Sequence, residues 1–231
     1  MMRLQKFLAH AGICSRRKAE EHILNGQVKV NQKVVTQLGT QIDPEKDEVV
    51  FQGKPVAIKQ EPAFTYIALN KPKGVVSSCS QKNVKIVIDL VDTKERVYPV
   101  GRLDKDSQGL LLLTNDGNLH HRLSHPSFDH EKEYIVKTRS PLSDRDLNTM
   151  SKGMVIDGKK TRPARVKRLA GNTFNIVLKQ GLNRQIRKMV ETLGNHVTSL
   201  TRVRMAHIRL HGLKPGQWRY LSQSEIRKLT Q

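Results

Sequence analysis

The spacing of apolar residues changes period several times along the chain, and each change marks an element. Residues 3–13, RLQKFLAHAGI, set Leu4, Phe7, Leu8 and Ala11 on one helical face, with Gly12 as the stop. Ser15 is placed to cap a second helix running through Leu24, with Ala19, Ile23 and Leu24 inward and Gly26 at its end. VKVNQKVV and DEVVFQGKPV then read as two apolar-rich hairpins turning at Asn31-Gln32 and Gln52-Gly53. AIKQEPAF, with Pro62, reads as a linker. Beyond it, YIALNKPKGVV predicts a strand entering a turn, and EKEYIVKT alternates Tyr134, Val136 and Thr138 against Ile135 and Lys137 as a strand does. Ser143 is the expected cap of a short helix, and TFNIVLK is another strand. Pro163 in KKTRPARVKR argues for an edge strand or loop. Asn183 is expected to cap a helix ended by Gly194, with Ile186, Met189, Val190 and Leu193 on one face and Arg184, Lys188 and Glu191 opposite. VTSLTRVRMAHIRL reads as one long strand, and the Ser222 to Glu225 box starts a C-terminal helix. Strands come largely in sequence-adjacent pairs, so the expected class is α+β, a mixed and mostly antiparallel sheet flanked by helices.

One stretch departs from simple alternation. In VYPVGRLDKDSQGLLLLTNDG a short apolar segment ends at Gly101, an acidic loop carries Asp104, Lys105 and Asp106, and Leu110 to Leu113 follow Gly109. Four consecutive leucines bounded by glycine fit a strand buried on both faces. Two readings of the loop stay open on spacing alone. Its aspartates either bond to the turn backbone or carry chemistry held rigidly between two buried strands. Arg187 falls beside Val190 on the border of the apolar face, suited either to snorkelling or to reaching into a cleft.

Charge changes the picture. The 231 residues hold 41 Lys and Arg against 21 Asp and Glu, a net charge of +20. That exceeds what solubility asks and predicts a polyanionic partner, nucleic acid ahead of a membrane surface. Residues 1–60 carry a net +4 and residues 61–231 a net +16, so the second part should itself touch nucleic acid. Arg16, Arg17 and Lys18 stand in a helix's first turn, where the macrodipole disfavours cations; a bound phosphate or simple solvation would each account for them. With only ten aromatic residues, phosphate and shape contacts should outweigh base stacking. No apolar run is long enough for a bilayer span, and the N-terminus lacks a signal-peptide pattern. Cys14 and Cys79 form no CxxC, no HExxH occurs, and no nucleotide-binding glycine motif is present. These features favour a cytoplasmic protein with reduced thiols, no metal and no cofactor.

Helix, GICSRR, helix and NGQVKVNQKVV resemble the S4-type RNA-binding module over residues 2–56. GRLDKDSQGLLLLTNDG, EKEYIV and GLNRQIRKM, in that order, resemble the RsuA/RluB/RluE/RluF family of ribosomal RNA pseudouridine synthases, and DHEKEY with GLNRQIRKM looks nearest the RluF branch acting on large-subunit RNA. The resemblance implies an S4-like domain at 2–56, a linker at 57–64 and a catalytic domain at 65–231. It implies that Asp104 is the catalytic aspartate, that Tyr134 packs on the uracil, and that Arg187 pairs with Asp104 and holds it ionised. Arg102 and Asn183 match motif positions. With Arg16, Arg17, Lys18, Lys105, Arg184, Lys188 and Arg202 they make up the expected RNA contacts. The implied reaction detaches a flipped uridine at N1 and rejoins it through C5, which needs neither ATP nor a redox cofactor. The implied partner is ribosomal RNA or an assembling ribosomal particle, and the expected state is a monomer. A non-catalytic RNA-binding or ribosome-assembly protein is the alternative that fits the charge equally well.

Overall fold

The computed structural model describes residues 1–58, 64–124 and 128–230. The chain forms two compact units, Met1–Ala63 and Phe64–Gln231. Most of the expected linker, residues 59–63, lies outside the described residues.

The first unit runs β1 (Met2–Arg3), α1 (Leu4–His10), α2 (Arg16–Leu24), β2 (Val28–Val30), β3 (Lys33–Val34), β4 (Gln41–Ile42), β5 (Val49–Phe51) and β6 (Lys54–Val56). Leu4, Phe7 and Leu8 of α1 and Ala19 and Ile23 of α2 close on Val28, Ile42 and Val49 in one small core. The Ser15 side chain caps α2 by accepting from the Lys18 backbone at 3.2 Å. Both expected hairpins form, with Asn31, Gln32, Gln52 and Gly53 all at positive φ, as tight two-residue turns between twisted strands require.

The second unit contains β7 (Tyr66–Lys71), a 3₁₀ turn (Val87–Leu90), β8 (Tyr98–Pro99), β9 (Gln108–Thr114), α3 (Gly117–Ser124), β10 (Lys132–Thr138), α4 (Asp144–Lys152), β11 (Val155–Ile156), β12 (Lys159–Lys160), β13 (Arg165–Ala170), β14 (Thr173–Leu178), α5 (Gln185–Thr192), β15 (Val197–Met205), β16 (Ile208–Arg209), β17 (Trp218–Tyr220) and α6 (Gln223–Thr230). Its main sheet is ordered β13-β14-β10-β15-β9-β7-β17, with β16 on β15 and β8 on β9. Antiparallel pairs make up this sheet except at its centre, where β15 runs parallel to β9. KKTRPARVKR supplies the edge strand β13, as Pro163 foretold.

The four leucines of β9 are all buried because the sheet has a core on each face. Leu111 and Leu113 join Ile67 and Leu69 with Leu147 and Met150 of α4 and Ile186, Met189 and Val190 of α5. Leu110 and Leu112 join Ala68 with Leu119 and Leu123 of α3 and Leu229 of α6. At roughly 1.5–3 kcal/mol for each fully buried leucine, this run anchors both layers. Gly109 precedes it for a separate reason. Its φ is +108°, and a Cβ there would lie 2.3 Å from the Arg202 carbonyl oxygen, so only glycine lets β15 approach.

Three local expectations are corrected. Leu24, expected inward, is exposed at the end of α2, where only Ala19 and Ile23 are buried. The anticipated long strand breaks at Ala206, φ +50°, and folds back as β16, with Met205 opposite Ile208. No Gly or Asn marks this turn, so alternation ran straight through it. Asn183 does not cap α5. Arg184 occupies the cap position in the left-handed region at φ +51°, and its side chain makes no cap bond. Asn183 Oδ1 instead accepts from Lys188 Nζ at 3.2 Å. The Ser143 and Ser222 caps form as expected.

Candidate active site

The loop carrying Asp104 leaves β8, turns at Gly101 (φ +70°) and enters β9. Its backbone is fastened on both sides of the aspartate. The buried Ser77 hydroxyl donates to the Leu103 carbonyl at 2.8 Å and accepts from the Leu103 amide at 3.1 Å. The Gly74 amide donates to the Lys105 carbonyl at 2.8 Å, and the Ser107 amide to the Asp104 carbonyl at 3.1 Å. Rigid support of this kind fixes where a carboxylate points.

Beneath the loop lies Lys71, the last residue of β7 and completely buried. Its ammonium donates to the Ser107 carbonyl at 2.7 Å and to the Pro72 carbonyl at 2.9 Å. Burial pushes its pKa down to about 8, with Asp104 and Asp106 pulling the other way. In the sequence, Lys71 stands where the strand YIALNK enters the KPKG turn. The available signal was a charged residue closing a strand otherwise buried on both faces.

Arg187, expected on a core border, is buried and reaches the loop from α5. The expected pairing with Asp104 is corrected. Arg187 Nη2 lies 3.2 Å from Asp106 Oδ2 and also donates to the Asp106 carbonyl and the Ser107 hydroxyl, each at 3.2 Å. Its Nη1 donates to the Val197 carbonyl at 3.3 Å. One guanidinium thus binds the loop to β15. Arg184, one helical turn earlier and exposed, is the cation that meets both acids, 3.8 Å from Asp104 Oδ2 and 3.5 Å from Asp106 Oδ1. Its left-handed backbone costs on the order of 1 kcal/mol, and occurs where the side chain turns toward this acidic pair.

A cleft of about 190 Å³ opens beside the loop, and Asp104, Arg102, Tyr134, Arg184 and Arg202 all line it. Tyr134 is carried by β10, directly opposite Arg202 of β15. On the other face of the same strands, Arg204 binds Glu133 at 2.6 Å and Glu131 at 3.0 Å, and its hydrogen bond holds the Glu133 carboxyl below the usual range. That network locks β10 against β15 and so sets Tyr134 relative to Arg202. Of the other predicted contacts, Lys105, Asn183 and Lys188 lie outside the cleft lining. Lys188 is engaged by Asp157. Arg16, Arg17 and Lys18 stand exposed on the first unit, with Lys18 bound to Glu21 at 2.6 Å. Among the described residues, no cluster of three or more His, Cys, Asp or Glu side chains could hold a metal ion.

The fold has counterparts in known proteins. The family model for RNA pseudouridylate synthase matches residues 65–192, and that for the S4 domain matches residues 2–49. The chain belongs to the RNA pseudouridylate synthase family. This synthase is 41% identical over 225 residues to the dual-specificity RNA pseudouridine synthase RluF of Escherichia coli strain K12, covering 97% of this chain and 77% of the relative. It is 40% identical over 237 residues to the ribosomal large subunit pseudouridine synthase B of Bacillus subtilis, covering 99% and 96%. A crystal structure of a pseudouridylate synthase superimposes with a TM-score of 0.73 at 32% identity, covering 99% of this chain and all of the other. The synthase is therefore an isomerase acting on RNA, with an S4 domain at its N-terminus. Among its described residues, no helix is long and apolar enough to cross a membrane.

Proposed function

We propose that this synthase converts a uridine of large-subunit ribosomal RNA to pseudouridine, with Asp104 as the catalytic carboxylate. The observation that carries the reading is the shared cleft: a carboxylate on a loop fastened at Ser77 and Gly74 faces the same space as Tyr134. The large-subunit assignment draws on the similarity to synthase B and on the DHEKEY and GLNRQIRKM motifs. A net +16 in residues 61–231 supports direct contact between the catalytic unit and RNA.

The target nucleotide is drawn out of its stem into the cleft, since a stacked base is out of reach. The C1′–N1 bond breaks with its electron pair leaving on the base. Asp104 meets the electron-poor sugar either by bonding to C1′ or by accepting a sugar proton. The base turns and C5 bonds to C1′ as the Asp104–C1′ bond breaks or the sugar proton is returned; the C5 proton departs with help from the Tyr134 hydroxyl, and N1 takes up a proton. Atoms and electrons balance without an external reactant. Arg187 acts through the loop as a positioning residue, holding Asp106 and Ser107, while Arg184 supplies the cation nearest Asp104. Arg102 at the cleft wall and the exposed Arg16, Arg17 and Lys18 contact RNA phosphates.

The test is carbodiimide mapping of unmodified small- and large-subunit transcripts incubated with the full chain. A new pseudouridine stop in the large-subunit RNA is the expected result, absent with Asp104→Asn while RNA binding persists. Equal stops from the wild type and Asp104→Asn would remove Asp104 from the mechanism. No stop in either RNA would support the non-catalytic alternative.

A further inference from the structure

Several buried side-chain atoms in the described residues have no hydrogen-bond partner, and two belong to residues lining the cleft: Arg202 Nη2 and Gln180 Nε2. Arg202 is only 2% exposed. Its Nε is held by the Leu110 carbonyl at 2.7 Å, which anchors the guanidinium and leaves Nη2 unused. Lys132 lines the same cleft and forms no ion pair among the described residues; burial first, and the Arg202 charge second, push its pKa down. An unsatisfied buried donor on a charged group is expensive, and one at a cleft wall, unlike the Arg187 Nε donor away from the cleft lining, is placed to meet an acceptor that enters the cleft.

Guanidinium and ammonium groups donate and never accept, so the occupant must present acceptors. The register sets Arg202 opposite Tyr134, on the face that closes around the base in the reading above. A phosphate would have to bring its flanking backbone down to a nearly inaccessible guanidinium, whereas an extruded base arrives as a flat terminal group.

We propose that Arg202 Nη2 donates to a carbonyl oxygen of the target uracil, with the Gln180 amide and the Lys132 ammonium offering further donors beside it. The proposal rests on the roles given to Asp104 and Tyr134. When the C1′–N1 bond breaks, the electron pair left on the ring spreads to O2 and O4, while Asp104 compensates the sugar by forming a bond or taking a proton. Donors already fixed in a dry site stabilise that charge without reorganising. If the contact falls on O4, the Arg202 donor also discriminates against cytidine, which presents an amino donor at that position.

The experiment uses the full chain under single-turnover conditions on a synthetic RNA bearing the mapped uridine, or 2-thiouridine or 4-thiouridine in its place, sulfur being a poor acceptor. One thio substitution should slow the wild type about tenfold or more. Arg202→Met should slow the uridine substrate roughly 100-fold, the usual cost of losing one such donor, with RNA affinity unchanged. In that variant the thio penalty should nearly vanish, and Arg202→Gln should recover part of the rate. If Arg202→Met does not fold, as judged by thermal melting, Lys132→Met takes its place and should lose about tenfold in rate without losing affinity. A wild type indifferent to both thio substitutions would overturn the proposal, as would a thio penalty undiminished in Arg202→Met. Loss of affinity with an unchanged rate at saturation, in either Met variant, would overturn it in favour of a phosphate contact. Failure of the wild type on every ribosomal RNA would instead sink the synthase assignment for this substrate.

Discussion

The two units wear their positive charge differently. In the S4 domain, Arg16, Arg17 and Lys18 stand exposed at the start of α2, and Lys18 pairs with Glu21, itself exposed. In the catalytic unit Lys71, Arg187 and Arg202 are buried, and each donates to backbone carbonyls of the aspartate loop or its neighbouring strands. Exposed cations gain affinity by releasing counterions, and they keep their side-chain freedom. Buried cations have lost their hydration and are stable only where acceptors surround them, so they hold geometry. The contrast predicts that the first group governs how tightly RNA binds and the second how fast it reacts.

The sharpest test of that division is Asp104→Asn. It keeps the shape of the site and removes the reacting charge, so the rate should fall by about 10⁴-fold or more with RNA affinity within about threefold. Filter binding beside carbodiimide mapping checks both arms. Arg187→Met comes next. It strips donors from the Asp106 and Val197 carbonyls and the Ser107 hydroxyl, which should cost about 2–4 kcal/mol in urea unfolding. The rate should drop by about 100-fold as the loop loosens, because small misplacements near the chemistry have effects of that size. A full-rate Arg187→Met would break the claim that buried cations set geometry.

The exposed cluster should behave in the opposite way. Replacing Arg16, Arg17 and Lys18 together by Gln should leave saturated rates and thermal stability nearly unchanged. The slope of log affinity against log salt should fall by about 2–3, near one unit per lost phosphate contact. An unchanged slope would mean that these cations are merely solvated.

The smallest effect is a pH dependence through Lys71, whose pKa falls from 10.5 to about 8 on folding. Below about pH 8 the ammonium is charged in both states, and the cost of burying it is fully present. Between about 8 and 10.5 the unfolded chain holds the extra proton, so stability should rise with pH across that window. The rate should decline over the same window as the loop loses the positive charge beneath it, which acts on Asp104 and Asp106 through the field. The neutral amine still has two hydrogens to donate, so the decline should be shallow. Urea midpoints and rates at pH 7.5 and 9.5, each compared with Lys71→Met, would show whether Lys71 is responsible.

Much of the architecture was legible because its signals are local. A serine one residue before a helix, two residues at positive φ between short strands, and leucines covering both faces of a strand all act within a few positions. The failures were equally physical. The turn at Ala206 carries no turn residue, and Arg184 rather than Asn183 takes the cap position of α5.

By itself, the order of residues determined the α+β class, the double-sided burial of β9, the acidic loop that leads into it and the excess of charge in the second part; β8 on the other side of the loop is only half-buried. Only the folded chain decided which arginine meets which aspartate, that Lys71 lies beneath the loop, and that Arg202 at the cleft wall keeps a buried donor unpartnered among the described residues. Those pairings join residues far apart in the chain, and they depend on β15 running parallel to β9 with its backbone against Gly109. A side chain's partner at that range follows from sheet order and register, which no spacing within a single element encodes.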